Sequence, residues 1–278
     1  MSSIHTNNSA MTALSTLRNI NSDLANTQNR ISSGLNIESG KDNAAYFAIS
    51  ETMNGDSRIY KAINESLTLS QNSVSAARLG AETVTDLAKE FVERVAFAQG
   101  GTAETRANVQ AELDELANRI QTTIDQSTFN GDNLVSGTAA REVVTGITRD
   151  TAGTITTTKV TFNEQDLTAI QSALAAVDLT TASTAALQQT ALQDAETALG
   201  AAVAPATSLG IAEKSIEMQK EFLTELTNRI DAGVGSMVDA NMEEEAARLQ
   251  ALQVQQQLAT QSLSIANQSP QNILSLFR

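Results

Sequence analysis

Apolar positions recur at steps of three and four at both ends of this chain. Ala10, Ala13, Leu17, Ile20, Leu24, Thr27 and Ile31 form one row, widened by Met11 and Leu14. Leu249, Leu252, Ala259, Leu263, Ala266, Ile273 and Phe277 form another. This spacing marks one face of a helix that can supercoil against a partner. No Asp, Glu, Lys, Arg or His occurs from Leu249 to Phe277, and glutamines fill much of the remainder, from Gln250 to Gln268. Lipid is an unsuitable environment for so many amides without partners. A lone soluble helix fits badly too, since nothing charged keeps it in water. The two ends are therefore expected to cover one another, leaving apolar and amide surface for neighbouring chains. An ordinary core helix of one globule is the competing reading.

Between the ends the pattern predicts long helices. Tyr60, Ile63, Leu67, Ser70, Val74, Ala77, Ala81, Val84, Ala88, Phe91, Val95 and Ala98 keep a heptad within a helix over 44–98, with a candidate break at Asn54-Gly55-Asp56. Gln99-Gly100-Gly101 ends it, and the short connection makes a second helix, Thr105 to Thr128, its antiparallel neighbour. Phe129-Asn130-Gly131 reads as a turn. The β-branched residues of 135–165 predict a small hairpin or pair of hairpins. A short helix and a Thr- and Ser-rich loop follow, then a helix over 185–230, where Ala204-Pro205 and Gly210 argue for a kink or interruption. Two glycine-containing stretches flank this middle. One is 36–43, with Gly34 just before it and Gly40, Lys41 and Asp42 within it; the other is 231–239, with Gly233 and Gly235. Both read as connectors. The fold class is mainly α: long antiparallel helical rods and a terminal coiled coil, with a small β-hairpin region.

Composition narrows the function. The net charge of −14 leaves no basic excess to neutralise phosphates, which argues against a nucleic-acid binder. There is no cysteine, so neither disulfide nor thiolate chemistry is available. His5 is the only histidine, so an H-E-x-x-H zinc site cannot be built. Phosphate-loop and G-x-S-x-G motifs are absent as well. Carboxylates such as Glu112, Asp114 and Glu115 lie on a helix surface, with no concave site implied. The expectation is no enzyme, with no catalytic residue, no cofactor and no metal. The first residues lack a basic region followed by an apolar one, so no cleavable secretory signal is expected.

Leu263-Ser264-Ile265-Ala266-Asn267-Gln268 and Ile273-Leu274-Ser275-Leu276-Phe277-Arg278 resemble the terminal signature of bacterial flagellin, in particular the short alphaproteobacterial type. Ser32-Ser33-Gly34-Leu35 through Lys41-Asp42-Asn43-Ala44-Ala45 resembles the connector of that family, with Gly40 where relatives commonly have Ala. Phe129-Asn130-Gly131 is similar as well. The resemblance implies a structural subunit that polymerises into the extracellular flagellar filament for motility, leaving through the type III export channel. It implies an inner coiled-coil domain from 1–35 and 240–278, connectors at 36–43 and 231–239, a helical rod domain from 44–134 and 166–230, and a cap at 135–165 with no large outer domain. The implied assembly interface is Leu14, Leu17, Ile20, Leu24 and Ile31 with Leu249, Leu252, Leu263, Ile273, Leu276 and Phe277.

Implied partners are other copies of the chain, the export machinery with a secretion chaperone, and filament cap and junction proteins; nucleic acid and membrane are not among them. The place matching the family's innate-receptor motif, Phe91 to Gln99, keeps essentially only Arg94 of the charge pattern and carries an intrusive Phe97. Weak or absent receptor recognition is the expectation. A hook–filament junction protein and a cytoplasmic coiled-coil scaffold remain the alternatives.

Overall fold

The computed structural model describes residues 7–150 and 154–275, the side chains of 269–275 excepted. The chain divides into two compact units. The first takes the residues up to Ser57 and those from Arg229 onward; the second is Arg58–Asn228.

In the first unit, helix α1 (Asn8–Ser33) runs antiparallel to helix α6 (Met242–Ser275). Asn7 caps α1, its side-chain oxygen accepting from Ala10 N at 3.1 Å. Gly34 ends the helix in the left-handed region, φ 74°, where a Cβ would be strained, and its N–H donates to Arg30 O. The chain then pairs with the segment that leads into α6. Leu35 bridges Asp239, Asn36 N donates to Val238 O at 2.7 Å, and Ala240 N to Gly34 O at 2.9 Å. Ile37, Val234 and Val238 are buried together, with Leu35, Phe47, Met53, Ile230 and Met237 around them.

Helices α2 (Ala44–Phe97) and α5 (Ala185–Val238) each begin or end in this cluster. The interruption expected at Asn54-Gly55-Asp56 does not occur, because Met53 and Ser57 on that turn are held: Met53 by the cluster and Ser57 by a 2.6 Å hydrogen bond to Asp231. Nor is 231–239 a loop. Helix α5 continues through Gly233 and Gly235 to Val238, since burying Val234 and Val238 outweighs a glycine cost of about 1 kcal/mol each. The boundary between the two compact units falls inside α2 and α5.

The second unit is built on one buried face of α2. Leu67, Val74, Ala77, Ala81, Val84, Ala88, Phe91 and Val95 are all buried there, so the heptad is the core stripe. Helix α3 (Ala103–Gln126), capped by Thr102, adds Val109, Leu113, Leu116, Ile120 and Ile124. From α5 come Ala191, Ala195, Ala198 and Ala202, small residues that let backbones approach, followed by Leu209, Ile216 and Leu223. Pro205 and Gly210 do not interrupt α5. Pro205 is buried, and three residues before it the Thr85 hydroxyl bonds Ala202 O at 3.0 Å.

The middle of the chain forms two hairpins. Strands β1 (Thr128–Phe129) and β2 (Asp132–Asn133) flank Asn130-Gly131, both at positive φ, as a tight two-residue turn needs. Strands β3 (Ala140–Arg149) and β4 (Ile155–Asn163) pair antiparallel from Ala140↔Asn163 to Arg149↔Ile155, with an irregularity between Val144 and Gly146. Gln219 donates to Thr145 O at 3.0 Å and Tyr60 to Ile147 O at 3.3 Å, tying β3 to the helices. Helix α4 (Thr168–Ala175) buries Ile170 and Leu174 before α5 begins.

Candidate assembly interface

Three hydrogen bonds set the register of the α1–α6 pair. Asn7 Nδ2 donates to Ala266 O at 2.8 Å, Gln256 Nε2 to Asn21 Oδ1 at 2.7 Å, and Arg30 to Glu245 Oε1 at 3.2 Å. Between these fixed points Ala13 lies level with Leu263, Leu17 with Ala259 and Leu24 with Leu252. Thr27, Leu252 and Ala259 are buried; Leu17, Ile20, Leu24, Ile31, Leu249 and Leu263 are half-buried. These positions therefore face the partner helix of the same chain. Leu14 lies off the seam and is exposed. Leu276, Phe277 and the side chain of Ile273 lie outside the described residues.

Sequence reasoning expected apolar surface left for other chains but put Met11 in the packed row and did not single out Val254, Leu258 or Ile265 as that surface. Met11, Val254, Leu258 and Ile265 are 55–65% exposed. On α6 the steps from Val254 to Leu258 and Ile265 are four and seven, so they share a face, and the heptad places it opposite the seam. Helix α6 is thus apolar on two sides, and α1 covers only one. The single signal was the surplus of apolar residues that the 3-4 row did not absorb.

The first connector is a capped turn. Asp42 Oδ2 accepts from Glu38 N (3.2 Å), Ser39 N (3.0 Å) and Ser39 Oγ (3.0 Å). The Ser39 hydroxyl, then the Ser39 and Glu38 amides, hold this carboxyl below its ordinary range. Lys41 and Gly40 are exposed, and a Cβ on Gly40 would make only ordinary contact with Phe47, at 3.6 Å. Asn43 caps α2, accepting from Ala45 N and Tyr46 N. Gly233 and Gly235, inside α5, face Met53 and the Asp239 carboxylate.

Among the described residues, no group of three or more His, Cys, Asp or Glu is placed to hold a metal ion, and no helix is long and apolar enough to cross a membrane. An open cleft is lined by Leu69, Ser70, Ser73, Phe129, Asn130 and Asp132, whose carboxylate is paired with Arg141. Arg94 sits 3.5 Å from Glu112, and Phe97 is exposed. His5 lies outside the described residues.

The terminal helices form a pair packed along its inner seam, with Val254, Leu258 and Ile265 exposed on its outer side. Residues 4–140 match the bacterial flagellin N-terminal helical region and 192–277 the C-terminal helical region. Over the full length of both chains, the sequence is 38% identical to a flagellin of Brucella melitensis. It is 33% identical to flagellin FljM of Caulobacter vibrioides, covering 100% of this chain and 99% of that one. A structure from Vibrio parahaemolyticus assigned as a flagellar hook-associated protein aligns with TM-score 0.53 at 14% identity, covering 72% of this chain and 98% of the other, which is a likeness of fold. The chain belongs to the bacterial flagellin family. It is a self-polymerising structural subunit of the extracellular flagellar filament.

Proposed function

We propose that neighbouring subunits meet on the outward face of α6 and the flank of α1, and that the α1–α6 seam acts by building the surface they use. Val254, Leu258 and Ile265, with Met11 and Leu14, would be covered by other copies. Leu17, Ile20, Leu24, Ile31, Leu249, Leu252 and Leu263 support assembly from inside the pair. The observation carrying this reading is that α1 packs on one face of α6 while Val254, Leu258 and Ile265 on the other stay exposed. A helix apolar all round is stable only when surrounded. Burying each outward Leu or Ile contributes roughly 1.5–3 kcal/mol, repeated at every subunit. Contacts of different patches that do not close on themselves give an open helical polymer.

In this reading 1–35 and 240–278 form the inner layer, 36–43 and 231–239 connect it outward, and 44–134 with 166–230 form a rod capped by 135–165. The protein's role is wholly structural, without enzymatic activity. An export apparatus with a chaperone, and cap and junction proteins, are its further partners. Recognition by the vertebrate innate receptor is weak or absent, since Arg94 is engaged by Glu112 and Phe97 intrudes. The test is seeded polymerisation followed by sedimentation. Ile265→Asp should leave the protein in the supernatant with its helix content intact; pelleting at the parent yield would contradict the assignment of this face.

A further inference from the structure

We infer that Glu245 disfavours a one-heptad slip of the α1–α6 pair. It occupies a seam position, four residues before Leu249, level with Ile31. Its side chain is only 7% exposed. Oε1 accepts from Arg30 at 3.2 Å and lies 3.6 Å from Arg248, while Oε2 is buried with no hydrogen-bond partner. An incompletely satisfied carboxylate is a poor source of stability, since an apolar side chain at such a position is often neutral or better. Its attested use in helix pairs is to penalise wrong alignments.

The apolar seam cannot do this alone. Sliding α6 by one heptad toward the start of α1 would place Leu252 on Leu17, Leu249 on Ile20 and Ala259 on Ala10. Those pairs match as well as the observed ones, and Leu249 would exchange Thr27 for a larger apolar partner. The same slip moves Glu245 onto Leu24. There its neighbour on α1 is Asp23, and Arg30 is almost two turns away. The carboxylate would keep only Arg248, on its own helix, and would lose Arg30 for a like charge. Glu245 thus adds a charge penalty against the slip to the loss of the Asn7–Ala266 and Asn21–Gln256 hydrogen bonds. The main-chain ties of Gly34 to Ala240 and Leu35 to Asp239 lie about a turn away, beside the buried Val238, and hold the end of the pair next to Glu245.

The chain has no cysteine, so introduced pairs report cleanly. Leu24→Cys with Leu252→Cys reads the observed register, and Leu17→Cys with Leu252→Cys the slipped one. Each full-length chain is mixed into excess cysteine-free chain under polymerising conditions, and intrachain disulfide is measured by mass spectrometry. With Glu245 present, the first pair should form and the second stay at background. Glu245→Leu should raise the slipped pair several-fold at unchanged helix content, with Glu245→Gln between the two. A slipped pair still at background in Glu245→Leu would overturn the inference. So would failure of the first pair with Glu245 in place, or loss of helicity in Glu245→Leu, which would make the residue one of stability. The readout is register within a chain, so it fails separately from the filament faces proposed above.

Discussion

Gly80 on α2 lies directly against Ser127, at the end of α3. A Cβ built on Gly80 would stand 1.9 Å from Ser127 Oγ and 2.6 Å from its Cβ. In a helix interior Ala is ordinarily better than Gly by about 1 kcal/mol. Here the contact reverses the sign, because Ser127 is pinned by its own 2.6 Å hydrogen bond to Thr123 O. Gly80→Ala should destabilise the chain by about 1–3 kcal/mol. Adding Ser127→Gly should recover much of the loss, as read by denaturant unfolding.

Thr85 joins α2 to α5 by sharing its hydroxyl proton between Ala81 O at 2.8 Å and Ala202 O at 3.0 Å. Thr85→Val keeps the shape and removes the bond between helices. The expected loss is about 1 kcal/mol. An unchanged unfolding midpoint would show that the bond is not needed near Pro205.

Much of this architecture was legible because the residues that pack are the periodic ones. The α2 heptad is the core stripe, and the two terminal rows face each other. Local breakers misled where tertiary packing prevailed. Pro205 is buried inside α5, Gly233 and Gly235 lie beside the buried Val234 and Val238, and Met53 holds the turn at Gly55 in its cluster. The division of α6 into two faces was not legible. Period alone says which residues share a side, and only a partner with known register says which side is already covered. The misplaced Met11 and the missed Val254, Leu258 and Ile265 follow from that, as does the role of Glu245.

The turn at Asp42 should be acid-sensitive. Its folded pKa is depressed below the ordinary 3.8 by Ser39 and Glu38 donors. A depressed carboxylate contributes in full above its unfolded value and loses that contribution as pH falls through the folded one. Protection of the Glu38 and Ser39 amides should therefore hold above pH 3.8 and decline below it. Asp42→Asn should make the protection independent of pH across that range; a decline of equal size in the variant would remove Asp42 as its source.

Two charges on α6 should act differently. Leu252 is buried on the seam and Leu258 exposed on the outward face. Leu252→Asp should lower helix content at the termini by breaking the pair, with assembly lost as a consequence. Leu258→Asp should abolish assembly alone. Circular dichroism alongside sedimentation separates them, and equal loss of helicity in both variants would contradict the division into two faces.

The most direct measurement is electron microscopy of seeded polymerisation, comparing the parent chain with Leu258→Asp at matched concentration and salt. Long uniform filaments from the parent, and folded subunits that never elongate from the variant, are the predicted result. Filaments of ordinary length and number from Leu258→Asp would contradict the account, because the outward face of α6 would then play no part in joining subunits.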